Sequence, residues 1–250
     1  MPLLSLLLLA QSAIAAPTPV TVADINALAV KVRGHKPRDE FDAAPVQPSF
    51  NGRTFVVELE PWGTKPPRIA CFGSPMWSYS AEIQTLYVSP GGSDLGLLGF
   101  RGKQGGISKN PGEPWGSAVR YYSTDCVRKT LPSYTATNAY GASFKIDPTA
   151  QIITAIADDP IKPEWPASFK LTVPGDTART LVEHLKVRLT GTLRDWKPGV
   201  AIACDVRRDR PTASSPYDRT RDLCVANGRI HKFEVIDVRS GRILHSERRP

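Results

Sequence analysis

The chain has 250 residues, of which 41% are hydrophobic and 22% charged, and its 32 basic against 24 acidic side chains give a net charge of +8. Those proportions are ordinary for a globular protein and exclude a disordered polyelectrolyte. No stretch approaches the roughly 20 apolar residues that a membrane-spanning helix needs, so no transmembrane segment is expected.

The first residues, MPLLSLLLLAQSAIAAPTPV, combine a short apolar run with the small-residue pattern Ala13-Ile14-Ala15-Ala16. That combination reads as a secretory signal peptide over 1–16, and the mature protein is expected in a periplasm or outside the cell. In such an oxidising compartment the four cysteines, Cys71, Cys126, Cys204 and Cys224, read as two disulfides with three pairings open. They contain no Cys-x-x-Cys, and His35, His184, His231 and His245 form no ligand-like pair. No metal or other cofactor is expected.

Next along the chain, Thr21-Val-Ala-Asp24 predicts a capping box that opens a short helix through INALAVKV. FVVELEPWGTKPPRIAC (Phe55 to Cys71) then starts as an alternating strand and ends on Ile-Ala-Cys. Gly91 to Gly116 holds nine of the 19 glycines and predicts a long loop. It fits neither a phosphate-binding loop nor a serine-nucleophile turn. Within it Phe100, Arg101, Lys103 and Trp115 are weak contact candidates, because long loops carry function more often than strands do. FKIDPTAQIIT (Phe144 to Thr154) reads as two strands joined at Asp147. Pro160, Pro163 and Pro166 then mark a boundary, which predicts a first domain over 17–160 and a second over 166–250.

The second part predicts a helix from Asp176, with that residue as its cap, to Leu185. LKVRLTGTLRDWKPGVAIAC (Leu185 to Cys204) follows, again an alternating strand, a tryptophan and Ile-Ala-Cys. FEVIDVRSGRILH (Phe233 to His245) is a second strand pair, turning at Asp237. These parallels, with Cys126-Val127 and Cys224-Val225 in matching order, suggest an internal duplication with bridges Cys71–Cys126 and Cys204–Cys224. The expected fold is mainly β, or β-rich α+β: two small disulfide-bonded domains with OB-like, barrel or sandwich cores.

The charge is uneven. From Pro166 onward 4 lysines and 13 arginines face 10 acidic residues; before it 15 basic residues face 14 acidic. Arginine's planar fork suits carboxylate, phosphate and sulfate. Anionic lipid, acidic glycan or an acidic protein face are therefore the partners suggested, and nucleic acid is not. The candidate contacts are Arg207, Arg208, Arg210, Arg219 and Arg221 in CDVRRDRPTASSPYDRTRDLC, a segment whose aspartates also make it read as a self-neutralising surface loop. No catalytic residues stand out. Asp158-Asp159 and Asp39-Glu40 read as linker carboxylates, and Trp62, Trp77, Trp196, Tyr79, Tyr121 and Tyr122 suit a core or a glycan face. The sequence favours an exported, soluble, non-catalytic binding protein working through its basic second half. The alternatives are a hydrolase acting on an extracytoplasmic polymer, and an inhibitor or assembly factor using the Gly-rich loop.

Overall fold

The computed structural model describes residues 18–35, 46–63, 73–91, 93–94, 120–137, 140–158, 168–211 and 218–249. The expected signal peptide, Cys71, and Phe100, Arg101, Lys103 and Trp115 lie outside them. Within them the chain is mainly β, with two helices.

Helix α1 (Val22–Gly34) starts on the capping box. The Asp24 amide donates to the Thr21 hydroxyl at 3.2 Å, and the Thr21 amide donates to the Asp24 carboxylate at 2.8 Å. Two of the amides that a helix start leaves unpaired are thereby satisfied. Ile25, Leu28 and Ala29 share one face and are buried. In the last turn the Arg33 guanidinium donates to Asp222 at 2.8 Å and to the Ile153 carbonyl at 2.6 Å, which fastens the helix across the main sheet.

That sheet is organised by its longest strand, β13 (Arg219–Asp237). On one side β11 (Leu185–Arg194) and β12 (Ile202–Asp209) lie end to end, pairing antiparallel with 227–237 and 219–226. On the other, β9 (Thr149–Asp158) runs parallel to 219–228 and β14 (Arg242–Arg248) antiparallel to 232–237. β1 (Thr54–Leu59) flanks β11, β6 (Arg120–Thr130) flanks β9, and β5 (Ser93–Asp94) flanks β6. Alternation places Phe55, Val57, Leu185, Val187, Leu189 and Leu193 in the core. Gly191 is required there: a Cβ would come within 2.7 Å of the Phe55 ring and 2.2 Å of the Arg229 carbonyl oxygen. Strand β9 is buried on both faces. Ile156 joins the core under α1, while Ile153, Ala155 and Ala157 pack with Tyr121, Leu223 and Val225. A near-continuous apolar run is what a two-faced central strand needs.

Where β9 and β14 abut on β13, the chain buries an ion pair. The Arg249 guanidinium meets both Asp158 oxygens, at 2.9 and 3.2 Å, and the Ile230 amide donates to the same carboxylate at 2.9 Å. Asp158 is thus the buried end of a strand and not a linker carboxylate. Nearby, the His231 ring lies 3.0 Å from the Thr192 hydroxyl, and burial, followed by the Arg229 charge, pushes its pKa below the usual 6.5. The unfolded chain therefore takes up that proton first, so this contribution is complete above about pH 6.5 and declines as pH falls through it. Stability measured between pH 7 and 5 should fall in the wild type and flatten in His231→Asn. The depressed carboxylates Asp24, Asp218 and Asp237 act separately, because the stability they give is lost only as pH falls below their ordinary value of 3.8.

A second sheet, in the order β10 (Phe169–Thr172), β4 (Thr85–Ser89), β3 (Met76–Ser80) and β2 (Trp62–Gly63), adds Phe169, Leu86 and Val88 to the main core. Strands β7 (Tyr134–Thr137) and β8 (Ser143–Ile146) form a separate pair. Helix α2 (Gly175–Leu181) follows β10. Its cap is Pro174, with no side-chain hydrogen bond, and Asp176 lies one residue inside the first turn, where it pairs with Arg179 at 2.8 Å.

The expected boundary, between a domain over 17–160 and one over 166–250, does not separate sheets. β1, β6 and β9 from before it interleave with β11 and β13 from after it, and one buried cluster draws on both parts. The order of strands gives no support to duplication: the first strands of the two similar stretches, β1 and β11, pair with each other. FEVIDVRSGRILH is the expected hairpin, but in FKIDPTAQIIT β8 pairs with β7 while β9 enters the main sheet. A two-residue turn over Asp147-Pro148 would need a positive φ at both residues, which Pro148 with φ fixed at about −65° cannot adopt, or at Asp147 alone, a place that favours glycine. No closed, OB-like barrel forms among the described strands, since β1 and β5 end the sheet.

Candidate functional site

The segment 204–224 is largely a ladder. β12 and β13 hold Cys204 opposite Cys224, joined by a disulfide, and extend to Asp209 opposite Arg219. Cys126 is also disulfide-bonded, and Cys71, its expected partner, lies outside the described residues. The ladder sets the backbones of Arg207 and Arg221 opposite each other. Arg208 instead turns to buried Asp218, donating to its two oxygens at 3.0 and 2.6 Å, and the Tyr134 hydroxyl donates to the same carboxylate at 2.9 Å. The Arg208 hydrogen bonds are the main reason that the Asp218 carboxyl stays below the usual range. Arg210 is exposed beside this cluster, and Arg219 and Arg221 each engage neighbours. Of the loop's aspartates, Asp218 pairs with Arg208 from within the segment while Asp222 pairs with Arg33 from outside it, so the segment neutralises itself only in part.

A concave basic surface lies elsewhere in the second half. It is a groove of about 600 Å³ between β10, α2 and the turn that joins β13 to β14. Alternation along β10 buries Phe169 and leaves Lys170 exposed, while Thr177, Thr180 and Leu181 line one flank of α2. The turn, Val238 to Gly241, closes on Gly241 at φ +70° and is tied to the link between α2 and β11 by the Val238 amide donating to the His184 carbonyl at 2.9 Å. The turn presents Arg239 to the groove, and the start of β14 presents Arg242.

Lys170, Arg239 and Arg242 face one carboxylate, Asp237. That carboxylate accepts from the Ser240 hydroxyl at 2.6 Å and the Arg239 amide at 3.0 Å. The Ser240 hydrogen bond is the main reason that its pKa is depressed. Asp237 therefore stays ionised but is spent on shaping the turn. Neither Arg239 nor Arg242 makes a side-chain ion pair among the described residues, and Lys170 lies 5.9 Å over the Tyr87 ring. Guanidinium forks, an ammonium and the Thr177 hydroxyl can together donate to carboxylate, sulfate or phosphate oxygens, while the Thr180 hydroxyl already donates to the Asp176 carbonyl at 3.3 Å.

Of the residues singled out from sequence, His184 and Asp237 belong to this groove, the first noted as part of no ligand-like pair and the second as the bend of a strand pair. The arginines of 204–224 are absent from it because those positions lie at the far end of β13. The charge count pointed to the correct half of the chain, but positions 170 and 242 meet only through the folding of β13–β14 over α2. Among the remaining aromatic candidates, Tyr121 and Tyr122 are fully buried, and the Trp196 indole donates to the Val225 carbonyl at 2.7 Å; these are core residues. Trp77 and Tyr79 line a second groove, and Trp62 a third beside Glu58, Glu60 and Asp125. Among the described residues, no group of three or more His, Cys, Asp or Glu is placed to hold a metal ion, and no helix is long and apolar enough to cross a membrane. Compared with protein-family models, with curated proteins and with solved structures, the chain matches none.

Proposed function

We propose that the chain is an exported, non-catalytic binding protein that holds an anionic group of an envelope or extracellular partner in the groove between β10, α2 and the β13–β14 turn. The observation that carries this reading is the convergence of Lys170, Arg239 and Arg242 on a concave surface whose one acid is already committed to its own turn. The basic excess of the second half agrees with it, since every residue lining the groove lies there. Export is supported by the signal-like leader and by a disulfide, which persists in oxidising compartments.

A concave site matters for the energetics. Cations on an open surface are screened over about 8 Å at physiological salt, whereas a partly enclosed cluster acts together on one ligand group. The full mature chain should bind an immobilised sulfated or carboxylated polysaccharide and elute as salt rises. Lys170→Glu with Arg242→Glu should elute at markedly lower salt with an unchanged unfolding midpoint, because both side chains are exposed. Equal retention of the variant would refute the groove as the site.

A further inference from the structure

We propose that the second groove, on the opposite flank of α2, is a carbohydrate subsite that takes an uncharged pyranose ring against Trp77 and Tyr79. The groove encloses about 580 Å³, within the usual 300–1,000 Å³ of small-molecule sites. Trp77 and Tyr79 are two residues apart on β3 and so point to the same face. Both rings are held in place. The Tyr79 hydroxyl donates to the Val173 carbonyl at 3.1 Å, and the Gly63 backbone lies so close to Trp77 that a Cβ there would come 2.7 Å from its ring. Buried Ala178 supplies part of the lining from α2. The rim carries Gln84, Arg179 and Glu183: an amide that both donates and accepts, a donor and an acceptor. An apolar ring face bordered by mixed hydrogen-bonding groups is the complement of a pyranose, which has weakly polarised C–H groups on one face and hydroxyls around its edge. A proline-rich peptide would use the rings and leave most of that rim unmatched.

Gln84 provides the independent observation. Among the described residues it is the one non-glycine with a positive φ, +45°. It ends the four-residue turn between β3 and β4 (Ala81 to Gln84), the place that Gly241 fills, at φ +70°, in the four-residue turn between β13 and β14. Glycine adopts that conformation at no steric cost, whereas a side chain there is disfavoured. The turn that borders the aromatic groove therefore keeps a strained residue, and its side chain lines the groove. Strain retained where a side chain can meet a ligand is the pattern of a binding position.

The subsite is separate from the basic groove, so its test stands apart from that of the anionic reading. The full mature chain, labelled with ¹⁵N, is titrated with cellotriose, chitotriose and maltotriose. At least one trisaccharide should shift the Trp77 indole and Gln84 side-chain amide signals. Gln84→Gly should weaken that binding about three- to tenfold, with an unfolding midpoint equal to or above that of the wild type. Trp77→Phe should also weaken it, while Lys170→Glu with Arg242→Glu should leave it unchanged. No response to any of the three, a response to a polyproline peptide alone, or undiminished binding by Gln84→Gly would each overturn the proposal.

Discussion

Replacing Asp158 by alanine is expected to cost about 3–5 kcal/mol, the largest single effect the structure implies, because the change leaves a buried guanidinium without its counter-charge. The side chains of Asp158 and Arg249 are 2% and 7% exposed, so water cannot take over the missing contacts. The Ile230 amide also loses its acceptor. The damage falls where β9 and β14 meet, which would loosen the last residues of β14 before the rest of the sheet. Urea unfolding of Asp158→Ala measures the cost. A second variant, Asp158→Asn with Arg249→Met, should recover much of it, since asparagine keeps an acceptor for Ile230 while no buried charge is left unpaired. A cost below about 1 kcal/mol for Asp158→Ala would mean that the pair is as weak as an exposed one.

The second large effect concerns the bridge between β12 and β13. Replacing both Cys204 and Cys224 by alanine should cost about 3 kcal/mol, the loop-closure value for the separation of 20 residues that the disulfide spans. Fully buried Cys224 adds a small packing loss. Because the ladder from Ile202 to Asp209 pairs independently of the sulfurs, the variant should retain its fold. Its urea m-value should rise, as the unbridged unfolded chain exposes more surface. An unchanged midpoint and m-value together would show that the bridge restrains nothing in the unfolded chain.

The features that could be read from the sequence are those set by local chemistry. Thr21 and Asp24 announce α1 because a capping box is complete within four residues. LKVRLTGTLR announces β11 because one face is buried and the other is not, and Asp237 to Gly241 announces a turn through an acceptor and a left-handed glycine. What stayed hidden depends on distant partners. IACDVRRD does not alternate, because β12 pairs on one side only and extends into solvent; its strand character comes from β13 and the disulfide. Asp158 looked like linker because its partner, Arg249, lies 91 positions away. The parallel pairing of β9 with β13 leaves no local mark beyond an apolar run, and that pairing, together with β1 on β11, joins the two expected domains in one sheet. The basic groove was hidden for the same reason, since Lys170 and Arg242 come from strands in different sheets.

The anionic reading rests on where an anion settles, and the most direct measurement is to follow the backbone and arginine side-chain signals of the full mature chain as a sulfated disaccharide is added. Shifts concentrated at Lys170, Thr177, Thr180, Arg239 and Arg242, and lost in Lys170→Glu with Arg242→Glu, are the result expected. Shifts concentrated at Arg207, Arg210, Arg219 and Arg221 would move the site to the tip of the disulfide-bridged hairpin, and shifts at neither would contradict the account.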